Sequence, residues 1–569
     1  MLAKTAAPRE TAQVRFNNGK GAYEAPVGTL LSEYVRSAYP DRWWSIVGAL
    51  INGKLSELFV PINSDCTVTP LDVSHRDGMR IYRRSLVFVL IVAARELFPN
   101  ASIYVDHSLP FGGFYCQVHG REPFTPDELM ALQTRMREIV NADEPIMKAR
   151  LPIAEAEAIF TRQNYQDKLR LLKYRTKDYL TVYTLRGLTD YFYGYMLPST
   201  GYLKTFALTS LASGFILQFP RRSNPDQLEK ADRPSKLAAV FTRHNEYMRA
   251  MEVEDVGSLN QAIESKRIRE VMLVAEALHE RRIAEIARQI SERRDSIRLV
   301  LIAGPSSSGK TTLSKRLAVQ LLAYGLKPIA IEMDNYFVDR ELTPRDAHGD
   351  FDFEAFDAVD HALFNQHLVQ LTDGREVTLP RYDFKTGHRT TGASVKISCE
   401  HIIVAEGIHA LNPNLLPDMP PERVYRVYVS ALTQLNIDSH NRIATTDTRL
   451  VRRIARDARE RGYSARDTIS RWEKVREGES RNIFPYQENA DAMFNSALVY
   501  EHAALKVLVE PLLRQIRPGT AEYLEAERLS AFLDWFLPAP IEFIPENSLL
   551  REFIGNSSLR DFKLWEAKG

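Results

Sequence analysis

The stretch Leu299–Leu322 decides how the second half of the chain folds. It reads LVLIA (299–303), then GPSSSGKT (304–311), then TLSKRLAVQLL (312–322). The first run is apolar and has the length of a buried strand, and leucines recur every four residues in the last run, as in an amphipathic helix. This strand–loop–helix order is the setting that the phosphate-binding motif G-x-x-x-x-G-K-[ST] requires.

The residue types in the loop suit phosphate chemistry. Its glycines let the backbone turn so that N–H groups face an anion, and the helix that follows adds a positive dipole end. Lys310 supplies a charge for β- and γ-phosphates, and the Thr311 hydroxyl can hold Mg²⁺. We therefore expect ATP to contact the following residues: Gly304, Pro305, Ser306, Ser307, Ser308, Gly309, Lys310, Thr311 and Thr312.

Bulk properties narrow the class of protein. A chain of 569 residues is too long for one core, and a net charge of +1 gives no overall field that would recruit nucleic acid or a membrane. Cys66, Cys116 and Cys399 are far apart, which excludes a C-x-x-C zinc site and a disulfide framework. No signal-peptide core or membrane-length apolar run is found. We expect a cytoplasmic protein with no membrane contact.

Composition and periodicity divide the chain into five parts. An Asn-Gly turn at 52–53 predicts a hairpin in a small β-rich domain. The predicted parts are a β-rich domain (1–82), an α+β domain (83–222), a linker and long helix (223–292), an α/β domain (293–515) and a helical extension (516–569). The long helix either acts as a spacer or dimer helix, or packs on the α/β domain. The last strand of the α/β domain is predicted at Ala497–Tyr500.

The first two domains resemble a known family. The residues that carry the resemblance are ARELFP (94–99), GFY (113–115), FTPDEL (124–129) and EA (157–158). Residues 1–82 resemble the ubiquitin-like TGS domain, a β-grasp fold, and residues 83–222 are similar to the second additional domain of threonyl-tRNA synthetase. Independently of the family, Thr125 and Glu128 are placed as a capping box around Pro126.

One departure from that family concerns chemistry. The synthetase domain edits mischarged tRNA with two metal-type pairs of residues, which here fall on Arg84 and Phe88 and near Phe192 and Met196. These side chains cannot ligate zinc as imidazole and thiolate do, so editing is not expected. The tyrosines at 191, 193 and 195 either stack on a nucleotide or, as we favour, form a core or a domain interface.

Five separated motifs in the second half carry further polar residues. They are MDNYF (333–337), DFDFEAFD (350–357), LPRYDFKTGHR (379–389), IIVAEG (402–407) and DTRLVRRIARD (447–457). Asp334 and Glu406 each follow an apolar strand, and the carboxyl ends of parallel strands face the ligand crevice of an α/β sheet. Four arginines at 449, 452, 453 and 456 share one helix face, either around an anion or as a solvated basic face.

In this order the motifs resemble the uridine kinase and phosphoribulokinase family of P-loop kinases, nearest to uridine–cytidine kinase, over residues 297–509. The resemblance implies a parallel sheet with helices on both faces. It also implies roles for single residues: Asp334 as catalytic base, Asp352 and Arg449 on the ribose, Tyr382, Phe384 and His388 on the base, Glu406 near Mg²⁺, and Arg452 and Arg456 over the phosphates. Lys310 and Arg452 would be catalytic with Asp334.

The resemblance implies an ATP- and Mg²⁺-dependent kinase acting on a nucleoside 5′-hydroxyl. Five residues separate Tyr382 from His388, one more than in uridine–cytidine kinases, so the base preference stays open. Two alternatives remain: a kinase for a sugar phosphate, and an ATP-binding regulator associated with RNA or the ribosome. We also expect a homo-oligomer, and an RNA contact through the N-terminal half stays open with the second alternative.

Overall fold

The computed structural model of the protein describes residues 9–230, 236, 240, 247–248, 250–346, 349–383, 385–433 and 435–562. It confirms the expected fold class. A β-grasp domain comes first, an α+β domain follows, and an α/β domain with a parallel sheet forms the second half.

The β-grasp domain packs one helix on a mixed sheet. Its elements are β1 (Thr11–Phe16), β2 (Gly21–Pro26), α1 (Leu31–Ala38), β3 (Gly48–Ile51), β4 (Lys54–Ser56) and β5 (Cys66–Leu71). The strand order is β2-β1-β5-β3-β4, and β1 and β5 are parallel. Asn52 and Gly53 have φ of 49° and 80° between β3 and β4, so the predicted hairpin turn is confirmed.

The α+β domain has two antiparallel sheets. Its elements are α2 (Arg76–Leu97), β6 (Ser102–Leu109), β7 (Gly113–His119), α3 (Pro126–Asn141), β8 (Met147–Pro152), α4 (Ile153–Gln163), α5 (Gln166–Leu172), β9 (Tyr179–Leu185), β10 (Leu188–Asp190), β11 (Ala207–Leu211) and β12 (Gly214–Gln218). The strand orders are β10-β9-β8 and β11-β12-β7-β6. The capping box of α3 is confirmed, because the Thr125 hydroxyl accepts from Glu128 N–H at 3.2 Å and the Glu128 carboxylate accepts from Thr125 N–H at 2.9 Å.

The α/β domain is built on a parallel sheet. Its elements are α6 (Val256–Glu264), α7 (Ile268–Glu292), β13 (Leu299–Ala303), α8 (Lys310–Ala323), β14 (Lys327–Glu332), α9 (His361–Thr372), β15 (Val377–Asp383), β16 (His388–Val395), β17 (His401–Glu406), β18 (Val424–Ser430), α10 (Thr445–Arg456), α11 (Ala465–Asn482), β19 (Ala492–Asn495), α12 (Glu501–Leu513), α13 (Tyr523–Leu533) and α14 (Arg551–Ile554). The sheet order is β14-β17-β13-β18-β19, and β15 and β16 form a separate hairpin.

Two elements bear on the predictions for this half. The last strand is β19, so the prediction of a strand at Ala497–Tyr500 was wrong: the apolar stretch after β19 is a buried turn that leads into α12. The long helix α7 packs on the α/β domain, since its apolar face joins the core of that domain and the Tyr500 hydroxyl donates to Glu276 at 2.7 Å.

A buried polar network joins the two halves. Lys168 Nζ lies 2.9 Å from Asp190 and 3.0 Å from Asp438, and His440 Nδ1 lies 2.6 Å from Asp190. Burial by itself would lower the pKa of Lys168, but the two carboxylates raise it above its ordinary value. Tyr191 and Tyr193 lie at the same boundary: the ring of Tyr191 is 5.2 Å from that of Trp535, and Tyr193 N–H donates to Asn441. Their surroundings are those of a domain interface.

Among the described residues, no helix has both the length and the apolarity needed to cross a bilayer.

Candidate active site

The phosphate loop connects β13 to α8 at the carboxyl edge of the parallel sheet. Gly309 has φ of 87° and Ser307 has φ of 59°, a left-handed backbone that turns successive N–H groups to one side. A Cβ atom at Gly304 would collide with the Val429 carbonyl, so this position needs glycine. The loop therefore has the curled form that the sequence motif predicts, and α8 begins directly behind it.

Three neighbouring strands bring polar groups to this loop. Asp334 follows β14, Glu406 ends β17, and the loop itself follows β13, which lies beside β17 in the sheet. Removal from water raises the pKa of the Asp334 carboxyl, and the ammonium group of Lys310 opposes that rise. The same two effects act on Glu406, whose pKa is raised to about 7. Lys310 therefore lies within electrostatic reach of both acids.

Thr311 and Glu406 fit a magnesium ion. The Thr311 hydroxyl donates to one oxygen of Glu406 at 2.9 Å, and the other oxygen of Glu406 is buried without a hydrogen-bond partner. Mg²⁺ takes oxygen ligands, often one or two protein groups completed by water and phosphate oxygens. Within the part of the chain that the structure describes, no group of three or more His, Cys, Asp or Glu side chains is arranged around a metal position.

Lys310 is folded back onto its own loop. Its ammonium group donates to the carbonyl of Gly304 at 2.9 Å and of Pro305 at 3.3 Å. A phosphate in the loop would compete with these carbonyls for the same charge. The side chain must therefore change rotamer when a nucleotide enters.

The arginine helix α10 lies against the phosphate loop. Arg449 is buried, donates to the Ser306 carbonyl at 2.8 Å and pairs with Glu479. Arg453 donates to the Ser306 hydroxyl at 2.7 Å. The arginine face thus meets the loop backbone, as the predicted anion-facing side of the helix requires, but protein groups now occupy several of its donors.

Arg452 and Arg456 are engaged with protein acids. Arg452 is fully buried, donates to Glu501 at 2.6 Å and to the Ser496 carbonyl at 2.7 Å, and reaches the Ser307 carbonyl at 3.4 Å. Arg456 donates to Asp457 at 2.9 Å. Their predicted contacts with phosphate would require these partners to be released.

Two carboxylates that the sequence did not single out occupy donors of the loop. Glu479 accepts from Ser306 N–H at 2.8 Å, across 173 residues of sequence. Glu552 of α14 accepts from the Thr312 hydroxyl at 2.7 Å, across 240 residues. Leu549, in the same C-terminal segment, packs against Gly309. A Cβ atom added at Gly309 would lie only 2.5 Å from Cδ2 of Leu549. No local pattern marks these residues, because only the tertiary fold brings them to the loop.

Glu354 is a third acid that sequence reasoning missed. Burial raises its pKa to about 7, Glu479 adds to the rise, and Lys310 opposes it. Only its place within the 350–357 motif, next to Asp352, could have drawn attention to it. The recess beside Lys310 therefore holds three acids with raised pKa values: Asp334, Glu354 and Glu406.

The predicted acceptor residues are only partly brought together. Asp352 lies 2.9 Å from Arg481, and Tyr382 is buried with its ring 5.6 Å from that of Phe337. In the hairpin, His388 pairs with Asp383 and Tyr382 pairs with Arg389, so His388 and Tyr382 project from opposite faces. His388 is exposed, 3.7 Å from Asp339. Phe384 lies outside the described residues.

Two of the four positions that match the synthetase metal pairs are in contact with each other. The rings of Phe88 and Phe192 are 5.0 Å apart, and the Ser85 hydroxyl lies 3.9 Å from the sulfur of Met196. Arg84 donates to the Tyr195 carbonyl at 2.7 Å. These positions therefore carry a ring pair, a thioether beside a hydroxyl and an arginine bound to a backbone carbonyl, and the absence of editing stays a prediction.

The part of the chain that contains this loop matches the model of a known family. Residues 299–501 match the model of the phosphoribulokinase / uridine kinase family. The match to this family includes the loop, Asp334, Glu406 and α10. It supports an ATP-dependent kinase.

Part of the chain is similar to threonine–tRNA ligases. It is 30% identical over 172 residues to the enzyme of Lawsonia intracellularis (strain PHE/MN1-00), covering 30% of this chain and 27% of the ligase. It is also 30% identical over 193 residues to that of Symbiobacterium thermophilum, covering 34% of this chain and 30% of the ligase. The chain spans less than a third of the length of these curated relatives, and the resemblance to the synthetase is confirmed for this part only.

Two solved structures match part of the chain. A candidate fructose transport system kinase from Silicibacter sp. TM1040 is 24% identical, with a TM-score of 0.28, and the match covers 37% of this chain and 98% of that one. A candidate uridine kinase from Bacillus stearothermophilus is 28% identical, with a TM-score of 0.23, covering 26% and 78%. TM-scores of this size carry no argument about function.

Proposed function

We propose that this protein transfers the γ-phosphoryl group of ATP to the 5′-hydroxyl of a nucleoside. The observation that carries the proposal is the convergence of acids on the phosphate loop: Glu406 accepts from the Thr311 hydroxyl at 2.9 Å, and Asp334 follows β14, the strand beside the one that Glu406 ends. The family match supports the kinase reaction, and the motif order of uridine–cytidine kinases supports the nucleoside acceptor.

Each group has a role that its chemistry suits. Phosphoryl transfer depends on positioning and on neutralising charge. The loop N–H groups and Lys310 would hold the phosphates, and Thr311 and Glu406 would hold Mg²⁺, which supplies positive charge to the phosphate oxygens when bound. Asp334 would accept the proton of the acceptor hydroxyl, and a raised pKa suits a base that works near neutral pH.

The direct test uses the full chain with ATP, Mg²⁺ and a panel of nucleosides, with the products separated by chromatography. Asp334→Asn, which removes the proposed base, should lower kcat by about 10²- to 10⁴-fold, and Lys310→Ala, which removes a charge from the phosphates, by about 10²- to 10³-fold. Asp373→Asn is a matched control, because Asp373 is exposed and pairs with Arg423 away from the loop. If no nucleoside is phosphorylated, the nucleoside acceptor is wrong.

A second candidate is a kinase for a sugar phosphate. The pairing of Arg481 with Asp352 places a cation on the acceptor side, where a substrate phosphate could bind it. Sugar phosphates therefore belong in the same panel. If one of them is the substrate, Arg481→Gln should raise its KM by about tenfold or more through loss of a charge-assisted contact. An unchanged KM would mean that Arg481 does not bind the substrate phosphate, and no turnover of any sugar phosphate would reject this acceptor.

A further inference from the structure

A group of arginines lies at the junction between the α+β domain and the α/β domain. Arg83 belongs to α2, Arg442 precedes α10, and Arg476 belongs to α11. We call these three the junction arginines. All three are partly exposed, so a molecule in solution can reach them.

An aromatic pair holds two of the junction arginines near each other. The guanidinium carbon of Arg83 lies 4.5 Å from the ring centre of Phe219, and that of Arg442 lies 5.6 Å from the ring centre of Phe114. The two rings are themselves in contact, with centres 4.8 Å apart. Both guanidinium groups therefore share one apolar platform at the junction.

An ion pair made by Arg222 holds the helix that carries the third arginine near the beginning of α2. Arg222 donates to the Ser74 carbonyl at 2.9 Å, just before α2, and to Glu473 of α11 at 2.6 Å. Arg476 lies one helical turn after Glu473, on the same side of α11. The turn of α11 that carries Arg476 is thereby held against the beginning of α2.

Acids offset the charge of the junction arginines only in part: Asp447 and Asp106 lie within electrostatic reach of Arg442, and Glu473 and Glu479 within that of Arg476. None of the three forms an ion pair among the described residues, and the Nε atoms of Arg83 and Arg442 are buried without a hydrogen-bond partner. Arg80, one turn from Arg83 on α2, is different: it pairs with Asp77 at 2.8 Å and with Glu525 at 3.0 Å.

The groups around Arg83 disfavour its positive charge, as expected of an arginine that lacks an anionic partner. Burial lowers its pKa to about 9, and the neighbouring guanidinium groups of Arg442, Arg476, Arg80 and Arg222 lower it further. Burial also lowers the pKa of Arg442 to about 10, although Asp447 and Asp106 oppose this. Like charges held together in a partly buried place are costly unless an anion joins them. The planar guanidinium fork matches phosphate oxygens in geometry.

We propose that the junction arginines form a second anion site, which binds a small molecule carrying a chain of phosphates between the two halves. Pyrophosphate, tripolyphosphate and nucleoside triphosphates share this chemistry. The site is separate from the phosphate loop, and its existence does not depend on which alcohol the kinase domain uses.

Helix α11 connects this site to the phosphate loop. Glu479 lies one turn beyond Arg476 on α11 and accepts from Ser306 N–H at 2.8 Å. A ligand that draws Arg476 towards the junction would shift the helix that keeps Glu479 on the loop. Binding at the junction should therefore change the affinity of the loop for ATP, and ATP should change the affinity of the junction by the same factor.

The test measures binding of tripolyphosphate and of pyrophosphate by calorimetry. The Lys310→Ala protein is the starting point, because it weakens binding in the phosphate loop. In this background we expect Arg83→Gln and Arg442→Gln to weaken tripolyphosphate binding by about tenfold or more, the effect of losing a charge-assisted contact. Arg471→Gln is the matched control, since Arg471 is exposed on the same helix and stacks on Tyr463. It should bind as its parent does.

Thermal melting separates loss of the site from loss of the fold. Removing one of several like charges should leave the melting temperature unchanged or raise it, so weaker binding with an intact melt supports the site. Equal affinity in Arg83→Gln, Arg442→Gln and their parent would overturn the proposal, as would a parent that binds neither phosphate. Tighter binding of a nucleoside triphosphate than of tripolyphosphate would assign a nucleotide as the occupant. If only an RNA oligonucleotide binds through these arginines, the small-molecule proposal is wrong.

Discussion

The protonation of Glu354 should make the free energy of unfolding depend on pH. Its pKa rises from 4.5 to about 7, first because of burial and then because of Glu479. Between these two pH values the folded protein binds a proton that the unfolded chain does not. The contribution to stability is therefore present at low pH and is lost as the pH rises through about 7.

We expect the free energy of unfolding of the wild type to fall relative to Glu354→Gln by an amount of order 2 kcal/mol between pH 5 and pH 8. Urea denaturation at half-unit pH steps measures both curves. Glu477→Gln removes an exposed carboxylate from α11 and should keep the wild-type pH dependence. If Glu354→Gln and Glu477→Gln give the same profile, Glu354 is not the group that titrates.

Helix α10 shows how an element can serve the site by supporting it. Its arginine face was predicted from spacing alone, and Arg449 and Arg453 do reach Ser306. Periodicity cannot tell whether a cation faces a phosphate or a buried acid, because both need the same side of the helix. The pairing of Arg452 with Glu501 is a tertiary contact and could not be read from the helix itself.

Arg452→Ala should lower the free energy of unfolding by about 3–5 kcal/mol, because it leaves Glu501 buried without its cation. Chemical denaturation measures this loss. The double variant Arg452→Ala/Glu501→Ala should recover a large part of it, since the unpaired charge is then gone. Arg453→Ala is the comparison, and its loss should be smaller because this side chain is more exposed. Normal stability with lost turnover in Arg452→Ala would instead favour a direct role on phosphate.

The C-terminal helix α14 should influence ATP binding through Glu552. Its carboxylate accepts a hydrogen bond from the Thr312 hydroxyl at 2.7 Å, close to where the phosphates are expected. A like charge at such a place costs about 1 kcal/mol in water-like surroundings. Glu552→Gln should therefore lower the KM for ATP by about fivefold.

Steady-state kinetics at varied ATP measures this effect, and Glu546→Gln, which changes an exposed residue of the same segment, is the control. A higher KM in Glu552→Gln would mean that the carboxylate helps to hold the nucleotide.

At the scale of the whole molecule, what the sequence predicts well is local. The loop 304–311 is recognisable because the glycines that turn it and the strand and helix beside it are consecutive. Asp334 and Glu406 are recognisable because each ends an apolar strand. Glu479 and Glu552 are not, since 173 and 240 residues separate them from the loop atoms that they contact. The strand misplaced at Ala497–Tyr500 was apolar enough for a strand, and only pairing with β18 identified 492–495 instead.

The buried contact between the two halves cannot be predicted from the sequence either, and it should contribute strongly to stability. Lys168 comes from the α+β domain and Asp438 from the α/β domain, and both are buried with Asp190. Replacing the lysine by a side chain of similar length without charge leaves two buried carboxylates facing each other. Lys168→Met should thus lower the free energy of unfolding by about 3–5 kcal/mol.

Urea denaturation followed by tryptophan fluorescence measures this loss and also tests whether the halves unfold together. Trp43 lies in the β-grasp domain, while Trp472 and Trp535 lie in the second half. Because the network couples the halves, we expect one transition in the wild type and two in Lys168→Met. Lys173→Met is the control: Lys173 is exposed and pairs with Glu264 at 2.6 Å, and an exposed pair contributes about 1 kcal/mol at most. Wild-type stability in Lys168→Met would mean that the apolar contacts of the interface hold the halves together by themselves.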